Sequence, residues 1–154
     1  MEIRIRDTIV AGALGGLLGS MVEGVLHYLS FVTGLSKSST LHITQRVIMH
    51  QALPLTGLTL VATFIGFVGF GALFGVVLAY IFQRAGTDYA YIKGAGFGLL
   101  TYFVLNNFIA PLVQPDLDIR EDAQTNLVFF ALHVIYGLVT AHVILRVSHR
   151  EARG

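Results

Sequence analysis

The sequence contains no cysteine, and charged residues occupy only 12% of its 154 positions. Without cysteine the chain forms no disulfide, thiolate metal site or iron–sulfur cluster, and it has no cysteine nucleophile. Its formal net charge of +1 is too small to indicate nucleic-acid binding. Phosphate-binding loops, dinucleotide-binding glycine motifs and the G-x-S-x-G motif are also missing. We therefore predict no cofactor, and no motif indicates an enzyme.

What the chain does contain is apolar: 55% of its residues are hydrophobic and the mean hydropathy is +0.73. A soluble domain carries about twice this charged fraction. Four uncharged or nearly uncharged runs reach the roughly 20 residues needed to cross about 30 Å of hydrocarbon. We therefore expect one all-α transmembrane domain over 1–154, with spans at 8–31, 55–82, 90–111 and 123–145. The first span lacks a clear cleavage site, so we expect it to be retained.

Basic residues predict how these spans are oriented in the cell membrane. Seven of them flank the spans on the side of the two termini and the second loop, namely Arg4, Arg6, Arg84, Lys93, Arg146, Arg150 and Arg153. Three lie in the first and third loops, namely Lys37, Arg46 and Arg120. The positive-inside rule therefore places both termini in the cytoplasm. The acidic residues of the third loop then face outward, namely Asp116, Asp118, Glu121 and Asp122.

The first outer loop, "SSTLHITQRVIMHQALP", predicts a short amphipathic helix over 40–52. Ser39 or Thr40 is the expected N-cap, and Pro54 ends the helix. The apolar face consists of Leu41, Ile48 and Ala52. The polar face consists of His42, Arg46 and His50. We expect this helix to lie in the outer interface with its apolar side down.

Two internal sequence matches suggest a repeat. "GVVLAYIFQR" (75–84) aligns with "GLVTAHVILR" (137–146), and "GALGGLL" (12–18) aligns with "GAGFGLL" (94–100). Both matches keep the order of the chain. We interpret them as two helical hairpins of the same orientation, related by rotation about the membrane normal, with the interfacial helix inserted in the first.

Glycines recur at a spacing of four residues, in the pairs Gly12–Gly16, Gly15–Gly19, Gly71–Gly75 and Gly94–Gly98. Small residues at this spacing let helix backbones approach closely in lipid. One interpretation is packing inside the bundle, and the other is an interface between copies of the chain. Because four helices expose a large perimeter, we also predict a homo-oligomer in the lipid bilayer.

The polar residues of the spans gather in the outward half of the membrane. Glu23 and His27 lie one helical turn apart on one face of the first span. By helical rise, Glu23 and His133 each lie about 15 Å below the outer end of their spans. Asn106 and Asn107 lie near the outer end of the third span. We predict that these five residues form an intramembrane binding site, with Glu23 facing the interior near His133 or Asn106.

Glu23 has a structural and a functional interpretation. In the first it is a protonated carboxyl that hydrogen-bonds to a neighbouring helix; in the second it is a proton or cation site or a ligand anchor. Glu23, His27 and His133 also form a possible set of metal ligands. The Glu-x-x-His pair of carboxylate-bridged metal sites is absent, so we predict no metal and keep these three residues as the alternative.

The whole chain resembles an uncharacterised group of small four-span bacterial integral membrane proteins. The resemblance lies in "LSFVTGL", "GALFGVVLAYIF", "DYAYIKGAGFG" and "IYGLVTAHVI". It implies the four-span topology but no activity. From the residues themselves we expect a protein that binds or conducts a small solute or ion, as a homo-oligomer. The alternatives are a non-catalytic partner or scaffold subunit of a larger membrane assembly, and a membrane metal-binding protein.

Overall fold

The computed structural model describes residues 7–50, 53–113 and 122–151. These residues are mostly helical and contain no strand. The segments are α1 (Thr8–Val32), α2 (Thr40–Met49), α3 (Gly57–Ala85), α4 (Ala90–Tyr102), a π-helical segment (Phe103–Ile109), α5 (Ala110–Val113) and α6 (Ala123–Glu151). Among them α1, α3 and α6 are long and apolar enough to cross a membrane. This confirms an all-helical membrane protein and three of the four predicted spans.

Some of the predictions concern residues outside the described ranges. Of the seven basic residues that predict the orientation, Arg4, Arg6 and Arg153 lie outside the described ranges, and the side chain of Arg150 is not described. In the first and third loops, the predictions outside the described ranges concern Ala52, Asp116, Asp118, Arg120 and Glu121.

The third predicted span, 90–111, is not one uninterrupted α-helix. α4 passes into the π-helical segment and continues as α5, which contains Pro111. Because Pro111 has no N–H, the carbonyl of Asn107, four residues earlier, has no α-helical donor. The next amide, that of Leu112, lies at the five-residue spacing of a π-helix. Because of this interruption, three helices and not four are long and apolar enough to cross a membrane among the described residues.

The helices lie side by side in the order α3, α1, α6, α4. α1 packs extensively along both α3 and α6, and α6 packs along α4. The two predicted hairpins are therefore present as the pairs α1–α3 and α4–α6. An exact two-fold rotation would exchange α1 with α4 and α3 with α6. The pair α3–α4 would then pack as extensively as the pair α1–α6, but α3 and α4 barely touch. The structure therefore departs from an exact two-fold repeat, and α2 packs on α3.

The predicted glycine pairs lie at the closest approaches between helices. A Cβ atom on Gly12 would lie 2.5 Å from the Cα of Val76, and one on Gly94 would lie 2.6 Å from the carbonyl oxygen of Gly137. The other members of the four pairs also face a neighbouring helix. This arrangement matches packing inside the bundle. The homo-oligomer stays a prediction and does not rest on these glycines.

The helix α2 contacts α1, α3 and α5 at one end of the bundle, which we call the α2 end. It stops earlier than predicted, because His50 adopts a left-handed conformation with φ of 57°. Its inward face consists of Thr40, Ile43, Thr44 and Val47. Of the predicted apolar face, Leu41 is buried, while Ile48 is 38% exposed and lies against Gly66 of α3. The position of this helix in the membrane interface stays a prediction.

The loop between α1 and α2 is held to the start of α6. The carboxylate of Asp122 accepts hydrogen bonds from the backbone N–H (3.1 Å) and the hydroxyl (2.6 Å) of Thr125. The backbone N–H of Lys37 donates to Thr125 Oγ1 at 3.0 Å. The side-chain amide of Gln124 donates to the carbonyl of Leu35 at 3.0 Å. Asp122 therefore caps α6 and fixes the neighbouring loop through Thr125.

Acid is expected to loosen this connection. The hydrogen bonds from Thr125, more than the charge of Lys37, hold the pKa of Asp122 below its usual range. A lowered pKa gives stability that is present above the unfolded value of about 3.9 and lost as the pH falls through the folded value. Hydrogen exchange at the start of α6, corrected for intrinsic rates, should therefore accelerate below about pH 4. Asp122→Asn keeps an acceptor and should flatten this dependence; equal acid sensitivity in both proteins would contradict the assignment.

Candidate functional site

Glu23 lies inside the bundle and is only 4% exposed. Its Oε1 atom is 3.0 Å from Nδ1 of His133 on α6. The same oxygen is 3.6 Å from Nε2 of His27, one turn further along α1. The structure thus places these three predicted site residues together, in the cluster that we call the Glu–His–His cluster.

The packing of α1 against α6 brings this cluster together. Gly15 and Gly19 face Thr140 and Tyr136, so the two antiparallel helices approach closely. One turn further toward the α2 end, this register sets Glu23 opposite His133. The imidazole of His27 then packs edge-on against the ring of Phe129, with 4.4 Å between ring centroids.

The cluster is not satisfied by its own hydrogen bonds. Nδ1 of His133 donates its hydrogen bond to the carbonyl oxygen of Phe129, 2.9 Å away. Three buried atoms nearby have no hydrogen-bond partner: Oε1 of Glu23 and both ring nitrogens of His27. An unsatisfied buried polar group destabilises a fold by about 1–3 kcal/mol. Such atoms call for an explanation, and a bound ion or water is a common one.

A cavity of about 140 Å³ lies beside the cluster. This volume is comparable to cavities that hold a benzene-sized molecule. Glu23 and His133 contribute to its wall, and α2 covers it with Thr40 and Thr44. Much of the remaining lining is apolar and comes from α3 and the π-helical segment. The further polar residues that line it are Ser20, Thr101, Asn106 and Tyr136.

The predicted site residues divide into two groups around this cavity. Asn106 is buried and lines it together with Glu23 and His133. His27 contacts Glu23 but does not line the cavity. Asn107 is half-buried and is not part of the lining, although it follows Asn106 directly. On the π-helical segment, successive side chains point in different directions, so only one asparagine can face inward.

Several lining residues were missed by the sequence analysis, although helical spacing contained a signal for two of them. Ser20 lies three residues before Glu23, and Tyr136 lies three residues after His133, so each shares a helix face with a predicted site residue. The hydroxyl of Tyr136 donates to the carbonyl of Gly71 at 2.8 Å and links α6 to α3. The threonines of α2 had no such signal, because their position depends on how α2 docks.

The cavity is closed on the side away from α2. There the helices form a compact apolar core, which includes Leu78, Phe82, Phe97 and Ile144. Lys93 stabilises the same end by donating hydrogen bonds to the carbonyls of Ala85 and Gly86 at the end of α3. In the part of the chain that the structure describes, the site is therefore a pocket toward the α2 end.

Comparison with protein-family models, with curated proteins and with solved structures finds no match to this chain. The fold and the site define a helical membrane protein with a buried Glu–His–His cluster beside a cavity. Its function has to be inferred from the chemistry of that cluster.

Proposed function

We propose that this chain is a four-span integral membrane protein that binds a small ion or solute in a cavity reached from the outer face of the cell membrane. The observation that supports this most is the buried carboxylate of Glu23, which lies between two imidazoles and lines the cavity. Ionisable groups are expensive inside a membrane and are usually retained for a function.

The third of these spans along the chain consists of α4, the π-helical segment and α5. Together they form a continuous helical path from Ala90 to Val113, long enough for about 30 Å of hydrocarbon. Irregular helix is tolerated at membrane depth where it lines a cavity, and Asn106 of the π-helical segment does so. With four spans and the basic residues described above, both termini lie in the cytoplasm and the α2 end faces outward.

Binding is favoured over the other functions considered. Conduction would require the apolar core below the cavity to open, because that core closes the path between the helices. A scaffold subunit would be expected to have a self-satisfied polar cluster, whereas three atoms of this one lack partners. A homo-oligomer remains part of the proposal; a smaller share of α3 is buried than of α1 or α6, so α3 offers surface for a second copy.

The absence of cysteine makes single-cysteine labelling a direct test of both access and topology. Thr44→Cys probes the cavity and Ser38→Cys the loop before α2. Asp88→Cys probes the loop between α3 and α4, and Ala79→Cys is a fully buried core control. A membrane-impermeant thiol reagent reacts only with hydrated, ionisable thiols. Applied from outside, it should modify the first two variants, and applied from inside it should modify only Asp88→Cys.

Two outcomes would overturn separate parts of the proposal. If Ser38→Cys reacts from outside but Thr44→Cys reacts from neither side, the cavity is not reached from the outer face. If Ser38→Cys and Asp88→Cys react from the same side, the four-span topology is wrong. Ala79→Cys should stay unmodified unless the bundle has lost its fold.

A further inference from the structure

We propose that the ligand of this site is a divalent transition-metal ion held by Glu23, His27 and His133. The inference rests on the proposed function, because the cavity is the route by which an ion reaches the buried cluster. It names the ligand class that the proposed function leaves open.

The spacing of the donor atoms suits such an ion. One potential ligand atom from each of the three residues lies within 4.8 Å of the other two. The distances from Glu23 Oε1 are 3.0 Å to Nδ1 of His133 and 3.6 Å to Nε2 of His27. In a tetrahedral site with bonds of about 2.0–2.1 Å, neighbouring ligand atoms lie about 3.4 Å apart. The two distances from Glu23 Oε1 lie on either side of this value, so the three side chains can converge on one ion.

The donor atoms also have lone pairs available to a metal ion. Glu23 Oε1 and His27 Nε2 are buried and have no hydrogen-bond partner. Nδ1 of His133, the nitrogen 3.0 Å from Glu23 Oε1, also lies 2.9 Å from the carbonyl of Phe129. As a metal ligand it would give up that hydrogen bond and carry its proton on Nε2, since a neutral imidazole has one donor and one acceptor nitrogen. A metal ion would satisfy the two unpaired atoms at the same time.

The donor set selects the class of metal. Two imidazoles and one carboxylate suit zinc, cobalt, nickel, copper and iron, whereas magnesium and calcium prefer oxygen ligands. Three protein ligands leave a position for water, and Glu23 and His133 both border the cavity. Sites with three protein ligands and one open position exchange their fourth ligand, unlike closed structural sites. The cluster is therefore suited to reversible binding.

The test is a titration of the purified full-length protein with Co²⁺ after treatment with a chelator. We expect visible d–d absorption that saturates with a single ion per chain and is displaced by Zn²⁺ but not by Mg²⁺ or Ca²⁺. Glu23→Gln, His27→Asn and His133→Asn should each weaken binding at least about tenfold, since even indirect partners of a metal have effects of this size. His142→Asn is the matched control, because His142 is exposed on α6 and bonds to Tyr91 instead.

A second measurement covers variants that fail to fold. X-ray absorption of the Co²⁺-loaded wild type should show imidazole ligands together with oxygen ligands. Absence of binding, coordination by oxygen alone, or loss of binding in His142→Asn would overturn the metal site. If Thr44→Cys is labelled from outside and Co²⁺ does not bind, the metal inference fails and the proposed cavity stands. If Thr44→Cys cannot be labelled, the proposed function itself fails.

Discussion

Gly16→Ala is expected to destabilise the bundle by about 1–3 kcal/mol or more, the range seen when extra atoms are forced into a packed interior. A Cβ atom on Gly16 would overlap the carbonyl oxygen of Gly71 and lie 2.9 Å from the Cα of Gly75. Both obstacles are backbone atoms, so no side-chain rotation relieves the overlap. Separating α1 from α3 would sacrifice packing that the hydrophobic effect cannot replace, because lipid is as apolar as the helices.

The measurement is the midpoint of unfolding as the fraction of denaturing detergent rises, followed by circular dichroism. Gly69→Ala on α3 and Gly96→Ala on α4 are matched controls, since a Cβ atom at either position meets nothing within 4 Å. Both should be neutral or stabilising by up to about 1 kcal/mol, because alanine is the better helix former. Equal losses for Gly16→Ala and the controls would mean that close packing of α1 on α3 is not what holds the bundle together.

His27→Leu is expected to raise the stability of the metal-free protein by about 1–3 kcal/mol and to abolish Co²⁺ binding. Both ring nitrogens of His27 are buried without hydrogen bonds, and the residue is fully inaccessible. Leucine removes these unsatisfied atoms at a similar volume. It also removes a proposed metal ligand. Opposite changes in stability and binding are typical of a residue that is kept for function at the expense of the fold.

The same unfolding assay, with chelator and with Co²⁺, checks this expectation. His133→Leu is the informative comparison, because His133 is the nearer partner of Glu23. Removing it leaves a buried carboxylate without its main counterpart, so this variant should be less stable than the wild type in the absence of metal. If His27→Leu is instead as destabilising as His133→Leu, His27 supports the fold, and its unsatisfied ring nitrogens are not kept for binding.

Much of the architecture could be predicted from the sequence because it depends on local properties. The length of each apolar run and the polar residues that flank it define a span. α1, α3 and α6 begin close to their predicted first residues, although α6 continues to Glu151, past its predicted end at 145. The pairing of Glu23 with His27 follows from the helical period alone. The equal depth of Glu23 and His133 follows from helical rise, which counts residues and needs no knowledge of neighbouring helices.

Contacts between distant segments decided the rest. The absence of cysteine, the low charge and the apolar runs determined a helical membrane protein, and the spacing of its polar residues determined which side chains share a helix face. Only the tertiary structure decided that α2 turns Thr44 toward the cavity, and that Asn106 enters the cavity while Asn107 does not. It also decided that α3 and α4 stay apart. The physical reason is that hydropathy and helical period specify a helix and its faces, but its rotation and its neighbours depend on backbone approaches such as Gly16 on Gly71.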